Sequence, residues 1–415
     1  MQQTSSGLVE KCTSEEVLYD TSFVGVHFLN GKFEIKYPLG YRICSRGDEK
    51  QCRKDILNLI RVLRHYRSQD KVNRESRESF SLNTNFPLFA YMFVYNWYLK
   101  NGYYVPHEVI YKKGTNGKVN WSRTVKTTKP AINNNNVVYL DTVVRKQNYN
   151  DGELIAIINR FCVYKSYEKI GCLFSNKKPK KEYIRAKNKL FINVLNKRID
   201  STFNDDEREL FLNMKKILVE ESNETGDREF YFGTTNFNLI WEKMLDDVYG
   251  NNNVNHSMES HPHIYWNCPE FSKSKNLTLR PDTIMIHPKR EDKIYVLDAK
   301  YYKAGANLDD GNLPGGESIL KQIVYAQKLE MNDKLKVAQH KIYNAFLLPY
   351  GMKENEKFLV SLGSTSEDWY SEKEMYENMY LKIRAIRVDT KNLMYNHNVA
   401  DDNLFDELAD LIEKV

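Results

Sequence analysis

Asp282, Asp298 and Lys300 are the residues whose types and spacing suit chemistry on a phosphate ester. Asp282 lies in the run Arg280-Pro-Asp-Thr-Ile-Met-Ile286, and the other two lie in Lys293-Ile-Tyr-Val-Leu-Asp-Ala-Lys-Tyr-Tyr302. The polar stretch His287-Pro-Lys-Arg-Glu-Asp292 separates the runs, which is the pattern of a β-hairpin. Side chains alternate along a strand, so Asp298 and Lys300 share a face, and an antiparallel partner brings Asp282 beside them. Two carboxylates suit Mg²⁺, a hard cation that takes oxygen ligands and keeps several waters. Asp282 and Asp298 are the expected metal ligands, with the Ala299 carbonyl as a third. The cation would acidify a bound water and stabilise charge on the attacked phosphate. Lys300 would sit where negative charge develops.

The local context adds to this reading. Ile294–Leu297 is an apolar run that stops abruptly at Asp298, and a carboxylate at the end of a buried strand is costly unless a charge or metal compensates it. Pro281 limits ladder pairing and suits a strand start. Upstream, a helix over about Thr235–Tyr249 carries Trp241-Glu242 and can aim Glu242 into the same place. Downstream, Gln322 and Tyr325 are three apart on a helix near Glu317–Glu330, so they share a face that can meet substrate or a metal-bound water. Taken singly, each residue has a plainer reading. Asp282 reads as a turn aspartate, Lys300 as a surface strand lysine, Glu242 and Gln322 as a solvated helix face, and Trp241 as core. The combination carries the signal.

The elements that must position these groups belong to a chain of 415 residues, enough for two or three domains. Hydrophobic residues make up 41% of it, which supports a packed core and excludes a disordered chain. The net charge of +6 permits a polyanionic partner without demanding one. Cys12, Cys44, Cys52, Cys162, Cys172 and Cys268 form no C-x-x-C pair, which argues against zinc, and they are too dispersed for a disulfide framework. The start of the chain lacks a signal-peptide pattern. The longest apolar stretch, Phe86–Leu99, is shorter than a membrane span requires. A cytoplasmic protein with no membrane contact is expected.

Short strand-like runs fill residues 1–50, and Cys52–Arg67 has helical spacing with a basic, solvent-facing side. A Gly- and Asn-rich stretch follows, from Gly114 to Asn136. The basic run Lys177–Lys181 reads as an exposed connection, and Gly226 marks the boundary before the last domain. His256, His261 and His263 read as loop histidines rather than a metal site. The expected fold class is α/β: a C-terminal domain over 225–415, with a mixed sheet flanked by helices, preceded by an α+β region over 1–224. That first region has a possible internal break near 175–182 and would bind DNA or a partner.

Arg280-Pro-Asp282 with Asp298-Ala-Lys300-Tyr-Tyr302 resembles the PD-(D/E)XK nucleases, and more closely the LlaJI family of restriction endonucleases and the related McrC subunits. Gly117-Lys-Val-Asn-Trp-Ser-Arg-Thr124, Phe237-Asn-Leu-Ile-Trp-Glu-Lys-Met244 and Tyr343-Asn-Ala-Phe-Leu-Leu-Pro-Tyr350 also resemble LlaJI-type sequences. The likeness runs from about residue 50 to the C-terminus. It implies Mg²⁺-dependent hydrolysis of double-stranded DNA in bacterial defence, with a separate McrB-like AAA+ NTPase as partner. The chain has no G-x-x-x-x-G-K-[ST] loop, so any nucleotide use must come from another chain. A dimer or higher assembly is expected, because cutting both strands takes two active sites. Two other readings stay open: a self-sufficient, sequence-specific type II endonuclease, and a non-catalytic DNA-binding or assembly module on a nuclease fold.

Overall fold

The computed structural model describes residues 8–415 apart from 9–11, 20, 30, 46, 73–82, 85, 134–135, 150–152, 176–177, 182–187, 223–228, 252–260, 267–274, 291, 303–312, 332–340, 367, 369, 399–401 and 415. It is a mixed α/β protein of two compact units, one built on Phe86–Gly226 and the other on Leu8–Asn85 with Asp227–Val415. The expected division places all of 1–224 together. The fold instead carries Leu8–Asn85 with the C-terminal residues. The reason is strand pairing: Val24–Leu29 runs antiparallel to Phe230–Thr234, with Val26 opposite Phe232.

The Phe86–Gly226 unit packs the helices Leu88–Asn101, Leu154–Ile170, Asn188–Ser201 and Asp205–Ser222 against one another. It also contains a three-stranded antiparallel sheet with Val143–Tyr149 between His107–Lys113 and Lys118–Val119. The helix Trp121–Thr127 closes on that sheet: Asn120 caps it through Arg123 N–H, and the Thr124 hydroxyl accepts from Val143 N–H at 2.9 Å.

The other unit holds two five-stranded sheets. In the N-terminal one the order is Cys12–Glu16, Lys32–Tyr37, Val24–Leu29, Phe230–Thr234, Asn83–Thr84. Alternation decides its buried face, since Val24, Val26 and Phe28 are buried with Phe33, Ile35 and Tyr37.

The second sheet runs Thr283–Ile286, Lys293–Ala299, Lys341–Tyr350, Ile383–Asp389, Leu359–Ser364. Its three central strands are parallel and both edges antiparallel. The strands buried on both sides are nearly all apolar, as Lys341–Tyr350 shows. The helix Gly316–Glu330 lies between two parallel strands in sequence and covers one face, packing Ile323, Tyr325, Ala326 and Leu329 on Ile294, Val296 and Phe346. His263–Trp266 pairs only with Lys275–Thr278, as a separate hairpin outside this sheet.

The turn of the site-bearing hairpin is clasped by the closing helix Asp402–Glu413, whose Asp406, Asp410 and Glu413 fall on one face. Lys289 meets Asp406 at 3.0 Å, and Arg290 meets Asp410 at 2.5 Å and Glu413 at 2.6 Å. Lys293 and the Tyr295 hydroxyl also donate to Glu413. Burial opposes the Glu413 charge, but these donors outweigh it and hold its pKa below the ordinary value. A carboxylate depressed in the folded state adds stability above its unfolded pKa and loses it as pH falls through the folded one. Glu413→Gln is therefore expected to cost about 2 kcal/mol at neutral pH, the scale of hydrogen bonds to a charged group. The difference from wild type should shrink as pH drops below the carboxylate range. Thermal or urea unfolding at neutral and acidic pH measures it, and a pH-independent difference would contradict the account.

Cys44 and Cys52 are bonded, with Cα atoms 5.5 Å apart, which corrects the expectation of no disulfide. Residues eight apart reach each other because a turn precedes the helix Glu49–Val72. Among the described residues no helix is long and apolar enough to cross a membrane.

Candidate active site

Asp282 stands one residue before the strand Thr283–Ile286, where Pro281 prevents earlier pairing. Thr283 registers with Leu297, so extending the ladder by one residue sets Asp282 opposite Asp298. The Asp282 carboxylate accepts from Ala299 N–H at 2.8 Å, which ties the two strand ends together. Lys300 leaves the strand but keeps its backbone N–H on the Leu347 carbonyl. Its ammonium returns to Asp298 Oδ2 at 2.5 Å.

Sheet alternation sorts the surroundings. Val296, Asp298 and Lys300 face the helix Gly316–Glu330. Leu297 and Tyr301 face the other way, where Tyr301 packs on Phe237 and Trp241 of the helix Phe237–Tyr249. Trp241 is fully buried, with its indole N–H on the Leu347 carbonyl at 3.4 Å, so it is core.

Burial, then the charges of Asp298 and Glu242, push the Asp282 pKa well above the carboxylate range. Burial also raises Asp298, against the pull of Lys300 and the hydrogen bond shared with Asp282. For Lys300, burial disfavours the charge, but Asp298 and Asp282 outweigh it and raise the pKa. Negative charge therefore accumulates at this strand end faster than one ammonium compensates it. The arrangement favours either a shared proton or a bound cation.

Among the described residues no group of three or more His, Cys, Asp or Glu side chains stands ready to hold a metal. The residues that could hold a cation here are Asp282 and Asp298, which the Ala299 N–H ties together. A ligand set of two carboxylates with positions left for water fits Mg²⁺ and does not fit zinc. One buried oxygen reinforces this: Gln322 Oε1 has no hydrogen-bond donor among the described residues.

The other expected residues divide. Glu242 is half-buried and lines, with Ala299 and Lys300, a cleft of about 550 Å³. Gln322 is fully buried, and its amide donates to the Val296 carbonyl at 2.7 Å, so its nitrogen anchors the helix to the strand and only its oxygen remains for water. Tyr325 lies within the field of both aspartates, which add to burial in raising its phenol. Of the histidines, His261 is buried and His263 meets the Thr278 hydroxyl at 3.1 Å, while His256 lies outside the described residues.

Thr21, Thr235, Asn236 and Asn238 also line the cleft and carry no signal in the sequence. Tyr301 also reaches the N-terminal segment. Leu39 N–H donates to its hydroxyl at 2.8 Å, and the Thr390 hydroxyl donates to the Leu39 carbonyl at 2.8 Å. The N-terminal segment is thereby fixed to the strand end that carries Lys300.

The family description LlaJI restriction endonuclease matches residues 23–371. The chain is 28% identical to the Type II restriction enzyme BsuMI component YdjA of Bacillus subtilis (strain 168), over 93% of this chain and 85% of that protein. Among solved structures it resembles a chain of the Thermococcus gammatolerans McrB AAA+ hexamers with bound McrC, at 14% identity and a TM-score of 0.33, over 92% of this chain and 82% of that one.

Proposed function

Because the chain belongs to the LlaJI restriction endonuclease family, we propose that it hydrolyses DNA phosphodiester bonds at the Asp282–Asp298–Lys300 site with Mg²⁺ as cofactor, on a PD-(D/E)XK nuclease fold in the Leu8–Asn85 and Asp227–Val415 unit. The observation that carries this reading is the meeting of two carboxylates and one ammonium at the end of a buried strand. Asp282 and Asp298 would hold the cation, with the Ala299 carbonyl beside them. When bound, the cation supplies a more acidic water and charge stabilisation on the phosphate.

The protein's residues do the rest. Lys300 places a positive charge where the attacked phosphate gains negative charge, in a site that need not reorganise. Glu242 adds a third negative charge close to Asp282, strengthening the preference for a cation over a proton-free pair. Gln322 holds the covering helix on Val296 and leaves its oxygen for a water. Tyr325 closes that side of the site.

Plasmid cleavage tests this. With Mg²⁺ the plasmid is nicked or cut; with EDTA, or with Asp298→Asn, it stays intact. Equal cleavage by wild type and Asp298→Asn would overturn the catalytic assignment, and cleavage by neither with the partner present would favour the assembly-module reading.

We further propose that the chain is the nuclease component of a larger restriction enzyme and works with an AAA+ NTPase subunit. Two observations support this: its relative is named as a component, and this chain has no phosphate-binding G-x-x-x-x-G-K-[ST] loop. Site-specific cleavage by the purified chain with no nucleoside triphosphate would refute the partner and restore the self-sufficient type II reading. Paired cuts on the two strands call for two copies of the site, and light scattering of the DNA-bound enzyme reads that number.

A further inference from the structure

We propose that the sheet face carrying Lys113, Lys118, Arg123 and Arg145 in the Phe86–Gly226 unit binds the phosphate backbone of duplex DNA. The inference rests on the reading of DNA as substrate and adds a second place of contact, in the other unit.

Four observations carry it. Tyr111 registers directly opposite Arg145 on one side of the central strand, and Lys118 registers opposite Arg145 on the other. Directly opposed residues in antiparallel strands point to the same side, so these three share a face, and Lys113, two residues after Tyr111, joins them. Arg123 reaches the same spot from the helix Trp121–Thr127, its guanidinium 3.7 Å from the centre of the Tyr111 ring. All four cations are exposed.

Carboxylates are sparse around them, with Glu108 and Asp141 flanking the stretch. Residues 109–140 contain six Lys and Arg and no Asp or Glu. Among the described residues none of the four forms an ion pair with a carboxylate. Like charges placed directly opposite destabilise a sheet, so the Lys118–Arg145 pairing costs stability that nothing within the described fold returns. A polyanion supplies the missing charge.

The surroundings suit a phosphate backbone in particular. The hairpin loop Gly114–Gly117 presents Thr115 and Asn116 to solvent beside the cations. The Thr142 hydroxyl on the Gly114 carbonyl and Gly114 N–H on the Thr142 carbonyl hold that loop in place. Hydroxyl, amide, Lys and Arg together are the groups that contact DNA phosphates and position a protein without reading bases. The contact with Tyr111 holds the exposed Arg123 guanidinium in place, and a guanidinium suits two-pronged phosphate contacts.

The test measures binding of the full chain to a labelled duplex of roughly 30 base pairs by fluorescence anisotropy across a NaCl series, with EDTA present so that nothing is cut. Each phosphate contact contributes about 0.9 to the slope of log affinity against log salt. The Lys113→Gln, Lys118→Gln, Arg123→Gln, Arg145→Gln quadruple variant should show a slope smaller by about 3–4, and Lys118→Gln or Arg145→Gln alone a slope smaller by about one. The single variants keep the proposal testable should the quadruple variant misfold.

An unchanged slope overturns the proposal. So does displacement of the duplex by millimolar ATP or GTP that the quadruple variant no longer shows, which would assign the face to a nucleotide. Retained DNA affinity with loss of binding to an acidic partner subunit would assign it to protein docking. A wild-type chain that binds DNA through this face yet cuts nothing with Mg²⁺, its NTPase partner and nucleotide present would refute the catalytic reading and leave this one standing.

Discussion

Lys300→Ala should lower single-turnover DNA cleavage by about 10²–10³-fold, the loss seen when one preorganised group that stabilises developing charge is removed. The ammonium lies 2.5 Å from Asp298 and sits on the wall of the cleft with Glu242. The same ammonium lies 5.7 Å from the centre of the Phe346 ring. Removing it leaves the Asp282–Asp298 pair without its nearby cation but leaves the hydrogen bond from Ala299 N–H intact. DNA affinity measured without divalent metal should stay within a few-fold of wild type, because the basic face of the other unit is untouched. Glu242→Gln, which removes a charge acting on Asp282 from a distance, should cost less, about tenfold, the lower range for one electrostatic contact. Cleavage by Lys300→Ala within threefold of wild type would remove Lys300 from the chemistry.

Gly40→Ala should cost about 2–5 kcal/mol of stability: roughly 1–2 for a left-handed backbone with a Cβ and roughly 1–3 for overpacking. Gly40 has φ 69°, and a Cβ there would lie 2.5 Å from Tyr350 N and 2.7 Å from its Cα and C. Those are backbone atoms at the end of the strand that pairs with Lys293–Ala299, so they cannot step aside. Gly40 N–H also donates to Glu16 at 2.7 Å, and its neighbour Leu39 is held at both ends by Tyr301 and Thr390. The added methyl would lift this segment off the sheet end that carries Lys300. Gly31→Ala is the control. Gly31 has φ 78°, but a Cβ there would meet nothing within 4 Å, so only the backbone cost applies. Urea unfolding compares the two, and equal losses would mean the contact with Tyr350 does not matter.

The site is largely legible in the sequence because its parts are local. The turn His287–Asp292 fixes which strands pair, and period-two alternation then puts Asp298 and Lys300 on one face with Asp282 opposite. Helical spacing picks out Gln322 but not its amide's partner, since nothing in the sequence says that Val296 presents its carbonyl there. Tyr301 reads as a packing residue, and its hold on Leu39 spans 262 positions. The role of residues 8–85 is invisible for the same reason. Their strands carry ordinary alternation and no chemical motif, and the pairing of Val24–Leu29 with Phe230–Thr234, together with the Leu39–Tyr301 bond, brings them beside the site. Thr21 and Asn238 are ordinary residue types whose importance lies in where the cleft falls. The edge strand Leu359–Ser364 escapes a sequence reading because it is short, lacks period-two alternation and shifts register between Ser361 and Gly363.

Binding of Mn²⁺ to the full chain, followed by electron paramagnetic resonance, tests the central claim most directly, because Mn²⁺ takes the oxygen ligands that suit Mg²⁺ and is visible where Mg²⁺ is not. Wild type should bind the ion at the strand-end carboxylates, and Asp282→Asn, Asp298→Asn should abolish that binding while the folded chain persists. Undiminished Mn²⁺ binding by the double variant would show that these two aspartates do not hold the cation.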